Sequence, residues 1–212
     1  MPFKALATFT AALLLACSCA APKHVSQIDL LLETTTPAIT ECSGVVKLGP
    51  IGDPDAFVSA LDACKDQSVV VEINSPGGSV FAAVEIQKAI ERHPHQVICV
   101  VDGMAASAAF VTLQACSVRA MTPRSVLMAH HASLSGASGK SEDLENAASA
   151  LRAVDRAMTL FVCKRMGITP EAYEAHVSGN REWWLAADEA EKMNAIDMQI
   201  ASVEDARLLL KP

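Results

Sequence analysis

Twice in this chain a largely apolar, β-branched run gives way within a few residues to glycine and then to a stretch of small residues. The first is SVVVEIN (68–74) followed by SPGGS (75–79). The second is QVICVVD (96–102) followed by GMAAS (103–107). A short run that is apolar almost throughout, rather than at every second position, reads as a strand covered on both faces, which is the habit of parallel sheets. Parallel neighbours need a crossover, and a helix is the usual one. The two runs therefore constrain the chain to an α/β fold with two strand–turn–helix junctions at neighbouring strand ends.

The other segments fit that frame. SGVVKLGPI (43–51) is an apolar strand closed by Gly-Pro, and DPDAFVSALDACKD is a helix with Asp53 or Asp55 as its cap. Helices follow both glycine turns, the first over 79–92. SVRAMT and SVLMAHH are two short strands split by Pro123. A glycine–serine stretch, ASLSGASGKS, reads as a loop or loose hairpin before the longest helix, 141–166. There Leu144, Ala148, Leu151, Val154, Met158, Phe161 and Val162 keep the 3.6-residue period. A helix that long either projects from the body to meet a partner subunit or packs on its own sheet. Thr169-Pro170 caps and opens another helix, and EWWLAADEAEKMNAIDMQI gives a strand, a helix, a turn and a last strand.

At 212 residues the chain suits one folded domain, and its net charge of −7 with no basic stripe excludes a nucleic-acid partner. The N-terminus reads as an export signal. MPFK is a short positive segment, and ALATFTAALLLA is apolar but short for a membrane span. Leu14-Leu15-Ala16-Cys17 resembles a bacterial lipobox, which predicts cleavage of residues 1–16 and lipidation of Cys17. Ordinary signal cleavage near CSCAAP is the alternative. Residues 17–41 then form a tether, and 42–212 the folded domain, exported to the periplasm and anchored to a membrane by lipid. Export permits disulfides. Cys42 and Cys64 precede successive strands and are placed to meet at one sheet end, whereas Cys99 and Cys163 read as buried thiols. No Cys/His group has metal-site spacing, so neither metal nor cofactor is expected.

Ser107 stands where a helix follows a strand. Alone, a serine there reads as an N-cap. Gly77 and Gly78 alter that reading, because adjacent glycines after a buried strand let backbone N–H groups approach a ligand. His130 ends an apolar strand and supplies a base, which a serine hydroxyl needs before it can attack. The combination points to a serine hydrolase with an oxyanion pocket. Other candidates have plainer readings: His93-Pro94-His95 as a solvated loop, the acidic run Glu142–Glu145 as a solvated helix face, and Trp183 and Trp184 as one inward and one outward residue.

These segments resemble a known family. INSPGGSVFAAVEIQKAI, GMAAS, RSVLMAHH and WLAADEAEKMNAID are similar, in that order, to the proteolytic subunit of the Clp protease, over residues 43 to roughly 200. The resemblance implies a crotonase-like α/β fold of stacked strand–strand–helix units with a long protruding helix. It implies Ser107 as nucleophile, His130 as general base, and the amides of Gly78 and Ala108 as the oxyanion hole. It also implies a homo-oligomeric ring acting on peptides or unfolded chains. His131 falls where the family has glutamine and is assigned no chemistry. The family's aspartate, expected shortly before WLAADEA, is not matched: that position falls at Ser178, with Asn180 and Glu182 nearby. The family's ATP-driven partners need cytoplasmic ATP, so an exported member is expected to act without an ATPase. The competing expectations are an inactive lipoprotein of the same fold, serving as a binding or assembly module, and a crotonase-type enzyme acting on acyl thioesters.

Overall fold

A computed structural model describes residues 42–210. The leader, Cys17 and the tether lie outside the described residues. The two apolar runs form β2 (Val69–Ser75) and β3 (Val97–Ala106). Both are covered on each face, and Val69 through Val71 and Ile98 through Val101 have no exposed surface. β1 (Val45–Leu48) pairs with β2, β2 with β3, β3 with β4 (Val118–Met121) and β4 with β7 (Met198–Gln199), all parallel.

β3 changes partner along its length. Its first half, Ile98–Val101, runs beside β4. Its second half, Met104–Ala106, runs beside β5 (Val126–Ala129), which in turn pairs antiparallel with β6 (Trp183–Ala186). The switch falls at Asp102-Gly103. Gly103 has φ +115°, and a Cβ there would lie 2.6 Å from Asn74 Oδ1. Ser125 fills the gap between the two partners: its Oγ accepts from the Gly103 N–H at 2.7 Å and donates to the Val101 carbonyl at 3.0 Å. The Gly103 N–H and the Val101 carbonyl thus stay paired where β3 changes partner.

Alternation along the strands divides the core. Val69, Val71 and Ile73 face α1 (Asp55–Asp62), α2 (Val80–Arg92) and α3 (Ala108–Leu113), within the larger apolar cluster. Val70, Ile98, Val100 and Ala120 face the other way, where Ala206 of α7 (Val203–Arg207) covers them. The sequence reading did not anticipate α7.

The long helix α4 (Ser141–Met166) has the predicted bounds. Only Thr159, Val162, Cys163 and Met166 of it are buried, all in its last two turns, while Leu144 and Leu160 are 43% and 50% exposed. It ends at Gly167, left-handed at φ +72°. Thr169 then caps α5 (Pro170–Val177) by accepting the Ala172 N–H at 3.2 Å. β6 leads directly into α6 (Ala187–Lys192). Trp183 is buried and stacks on His176, and Trp184 is about half exposed, as strand alternation requires.

Two disulfides are present among the described residues. Cys42–Cys64 is the pair expected from their sheet-end positions, with Cα atoms 4.9 Å apart. Cys99–Cys116, with Cα atoms 5.8 Å apart, corrects the reading of Cys99 as a free thiol. The chain turns back after α3, which carries Cys116 beside the start of β3. Cys163 is a buried free thiol, as expected.

Candidate active site

The site is assembled at the end of β3, beyond its bend. The register pairs Ala106 with Met128, so the residues just past them, Ser107 and Ala129-His130, lie together at one strand end. The Ser107 N–H donates to the Met128 carbonyl at 2.8 Å and locks that register. Ser107 itself has φ +55° and ψ −123°. This is a conformation that non-glycine residues avoid, and it belongs to sharp strand-to-helix turns that push a nucleophile out of the fold. Its hydroxyl makes no cap bond to α3, so the N-cap reading does not hold. Instead Oγ lies 2.7 Å from His130 Nε2. With the imidazole proton on Nδ1, Nε2 accepts the hydroxyl proton, which is the arrangement a general base requires.

The glycine pair packs directly beneath this turn. A Cβ on Gly77 would fall 2.6 Å from the Ala106 carbonyl oxygen and 2.8 Å from Ser107 Cβ. A Cβ on Gly78 would overlap the Ile51 carbonyl oxygen. Ile51 clamps the loop from the other side: its N–H donates to the Gly77 carbonyl and its carbonyl accepts from Ser79, both at 2.8 Å. Buried Ser75 accepts the Gly77 N–H at 3.1 Å. Among the described residues, no hydrogen bond takes up the N–H of Gly78 or of Ala108. Both amides are therefore available to a ligand, and Ala108 is the first residue of its helix, where the macrodipole favours negative charge.

None of the three candidates for the third position reaches the histidine. Ser178 caps α5 and its Oγ accepts from Arg181 at 3.1 Å. Asn180 sits in a left-handed turn at φ +65°. Glu182 accepts from Trp184 Nε1 at 3.0 Å. Among the described residues, no hydrogen bond engages His130 Nδ1. A carboxylate that the sequence reading did not single out does lie close by. Asp155 of α4 lines the same pocket as Ser107 and His130, and its Oδ1 accepts the Ala132 N–H at 2.6 Å. Its place on the long helix gave no sequence signal, because an acidic residue there reads as surface. His131 turns aside to pair with Glu174, Nε2 to Oε2 at 3.0 Å.

A pocket opens beside Ser107, walled by Val80 and Ala83 of α2, Val111 of α3, Met158 and Thr159 of α4, and Tyr173 of α5. Burial pushes the Tyr173 phenol far above its usual range, so it is a neutral wall. His93, from the other histidine pair, ends α2 and has its Nε2 3.2 Å from the Cys64 carbonyl.

A family model described as Clp protease matches residues 56–202. The chain is 31% identical over 143 residues to the ATP-dependent Clp protease proteolytic subunit of Bacteroides fragilis, covering 66% of this chain and 67% of the other. It is 33% identical over 168 residues to the ATP-dependent Clp protease proteolytic subunit 1 of Chlamydia caviae, covering 72% and 86%. It is 30% identical over 153 residues to subunit 3 of Streptomyces coelicolor, covering 71% and 68%. The parallel sheet with its helices is consistent with the crotonase-like α/β fold of that group. This chain belongs to the Clp protease family.

Proposed function

We propose that the protein is an exported serine peptidase that cleaves peptides or unfolded chains through an acyl-enzyme on Ser107. The 2.7 Å contact between His130 Nε2 and Ser107 Oγ, at a strained turn beside two free amides, carries this reading. In the first half-reaction Oγ attacks the peptide carbonyl carbon while His130 takes its proton. The oxygen, now negative, is held by the N–H groups of Gly78 and Ala108. Collapse breaks the C–N bond, and His130 returns the proton to the departing amine. Water then repeats the sequence on the ester. Active-site labelling with a fluorophosphonate tests the nucleophile. Wild type should be labelled and Ser107→Ala should not, with peptide turnover falling by about 10³-fold or more in the variant. A wild-type protein that resists the probe under all conditions would refute the reading.

The catalytically silent alternative, a lipid-anchored binding or assembly module, has one observation in its favour: among the described residues, no hydrogen bond orients His130 Nδ1. Loss of the orienting carboxylate costs a serine triad about 10⁴-fold in turnover. Turnover well below that of a complete triad is therefore expected, unless Glu182 or another carboxylate moves to the ring.

The compartment follows from the leader. Export to the periplasm, a lipid on Cys17 and independence from any ATPase form one proposal. The two disulfides support it, since such bonds persist in oxidising compartments. Mass spectrometry of the mature N-terminus tests it: a diacylated Cys17 is expected, and an unprocessed Met1 would overturn it. Assembly into a homo-oligomeric ring is part of the same reading. The exposed apolar residues of α4 support it, and the solution mass of the purified domain tests it.

A further inference from the structure

The pocket beside Ser107 is lined by polar as well as apolar groups, and one of them, Gln87, is buried without the partner that its amide nitrogen needs. Val80, Ala83 and Gln87 stand at i, i+3 and i+7 on α2 and together form one side of the pocket. Gln87 is only 6% exposed, yet its side-chain Nε2 has no hydrogen-bond partner among the described residues. It is the single buried side-chain nitrogen or oxygen in that condition there. Buried amides are almost always bonded, and one left unpaired is a cost that folding alone does not recover. A leucine or methionine at this place would pack the same wall without that cost.

We infer that Gln87 reads the side chain on the acyl side of the scissile bond, and that glutamine is the residue it favours there. This rests on the peptidase reading of Ser107 and deepens it. The residue whose carbonyl lies at Ser107 Oγ projects its side chain into the adjoining pocket. Its aliphatic stem lies against Val80, Ala83, Val111 and Met158, and its polar end meets Gln87. A carboxamide offers both a donor and an acceptor, so a substrate carboxamide pairs with it whichever way the Gln87 amide is turned. A leucine fills the same space but leaves Gln87 unbonded, and a site built around a polar group discriminates against such analogues. A glutamate would bring its charge beside the Asp155 carboxylate, and a lysine, whose ammonium that carboxylate would attract, is the competitor to set against glutamine.

The test uses the full chain and does not depend on turnover alone. Product tripeptides ending in glutamine, leucine, glutamate or lysine are titrated against wild type and Gln87→Met, and fluorogenic substrates with the same four residues are assayed for kcat/KM. In wild type the glutamine peptide should bind about tenfold more tightly than the leucine peptide. Gln87→Met should abolish or reverse that ratio. Because the substitution is close to isosteric and removes an unpaired amide, its unfolding midpoint should hold or rise. A wild-type preference for leucine, glutamate or lysine would overturn the inference. So would a ratio unchanged in Gln87→Met, or a sharp fall in its midpoint, which would give the amide a structural role. Tripeptide preference without cleavage of any substrate would defeat the peptidase reading while leaving Gln87 as the selecting residue.

Discussion

At the scale of single residues, the site holds strain where chemistry is proposed and has no slack beneath it. Ser107 keeps a positive φ because Met128 fixes its N–H and the turn beneath it is closed by Gly77. Strain of this kind is worth about 1–3 kcal/mol. Ser107→Gly should therefore raise stability by about 1 kcal/mol while removing the nucleophile, a trade between stability and activity. Urea unfolding measures it, and a variant less stable than wild type would argue against strain at this position. The opposite change belongs to Gly78. A methyl group there meets the Ile51 carbonyl oxygen, and φ is +143°. Gly78→Ala should cost about 2 kcal/mol or more and displace the amide proposed for the oxyanion. The expected signature is a lower midpoint together with weakened fluorophosphonate labelling.

Single elements are secured by polar groups as well as by apolar packing. The short strand β7 is held to β4 by Arg119 and Asp197. Arg119 is 1% exposed, and its guanidinium donates to Asp197 Oδ1 at 2.6 Å, to Gln114 Oε1 at 2.7 Å and to the Asn194 carbonyl at 2.9 Å. Burial alone would raise the Asp197 pKa, but the hydrogen bonds and charge of Arg119, with Arg165 adding to them, hold it below the usual carboxylate range. A depressed carboxylate contributes stability that is complete above its unfolded pKa and is lost as pH falls through the folded value. Asp197→Ala should cost about 3 kcal/mol near neutral pH, because it strands a buried cation. That difference should narrow in acid, below the ordinary carboxylate range. Unfolding midpoints at several pH values test the sign, and a gap that widens in acid would contradict it.

For the whole described domain, two covalent bonds constrain the fold at separate places. Cys42–Cys64 closes a loop with a sequence separation of 22 and ties the start of β1 to the end of α1. Cys99–Cys116, with a separation of 17, ties the start of β3 to the segment after α3. Ser107 lies inside that second loop, so the bond restrains the strand and helix on either side of the proposed nucleophile. Loops of this size are worth about 3 kcal/mol each in the chain-entropy account. Non-reducing peptide mapping should recover these two pairs with Cys163 as a free thiol, and reduction should lower the thermal midpoint clearly. Mapping that finds Cys99 and Cys116 as thiols would remove the restraint argued here.

The sequence by itself determined every element but α7 and named most members of the proposed site. Continuous apolar runs could only be doubly covered strands, the period over 141–166 could only be a helix, and glycine after a buried strand marked both turns beside Ser107. Each of those signals is local, carried by residues close together in the chain. What the tertiary structure decided were the facts that depend on distant segments meeting. β3 divides its length between β4 and β5, and this division brings His130 to Ser107. Cys116 returns to Cys99, which looked like an ordinary core thiol. Asp155 and Gln87 look unremarkable on their helices and become pocket residues only when α2, α3 and α4 converge. The same applies to the His130 ring nitrogen that has no partner among the described residues: Ser178 and Glu182 bond to Arg181 and Trp184 instead, and Asn180 makes no bond to it. Local pattern fixes which backbone conformation is cheapest; which side chains face one another depends on how far and at what angle the chain returns, and no short window of sequence contains that.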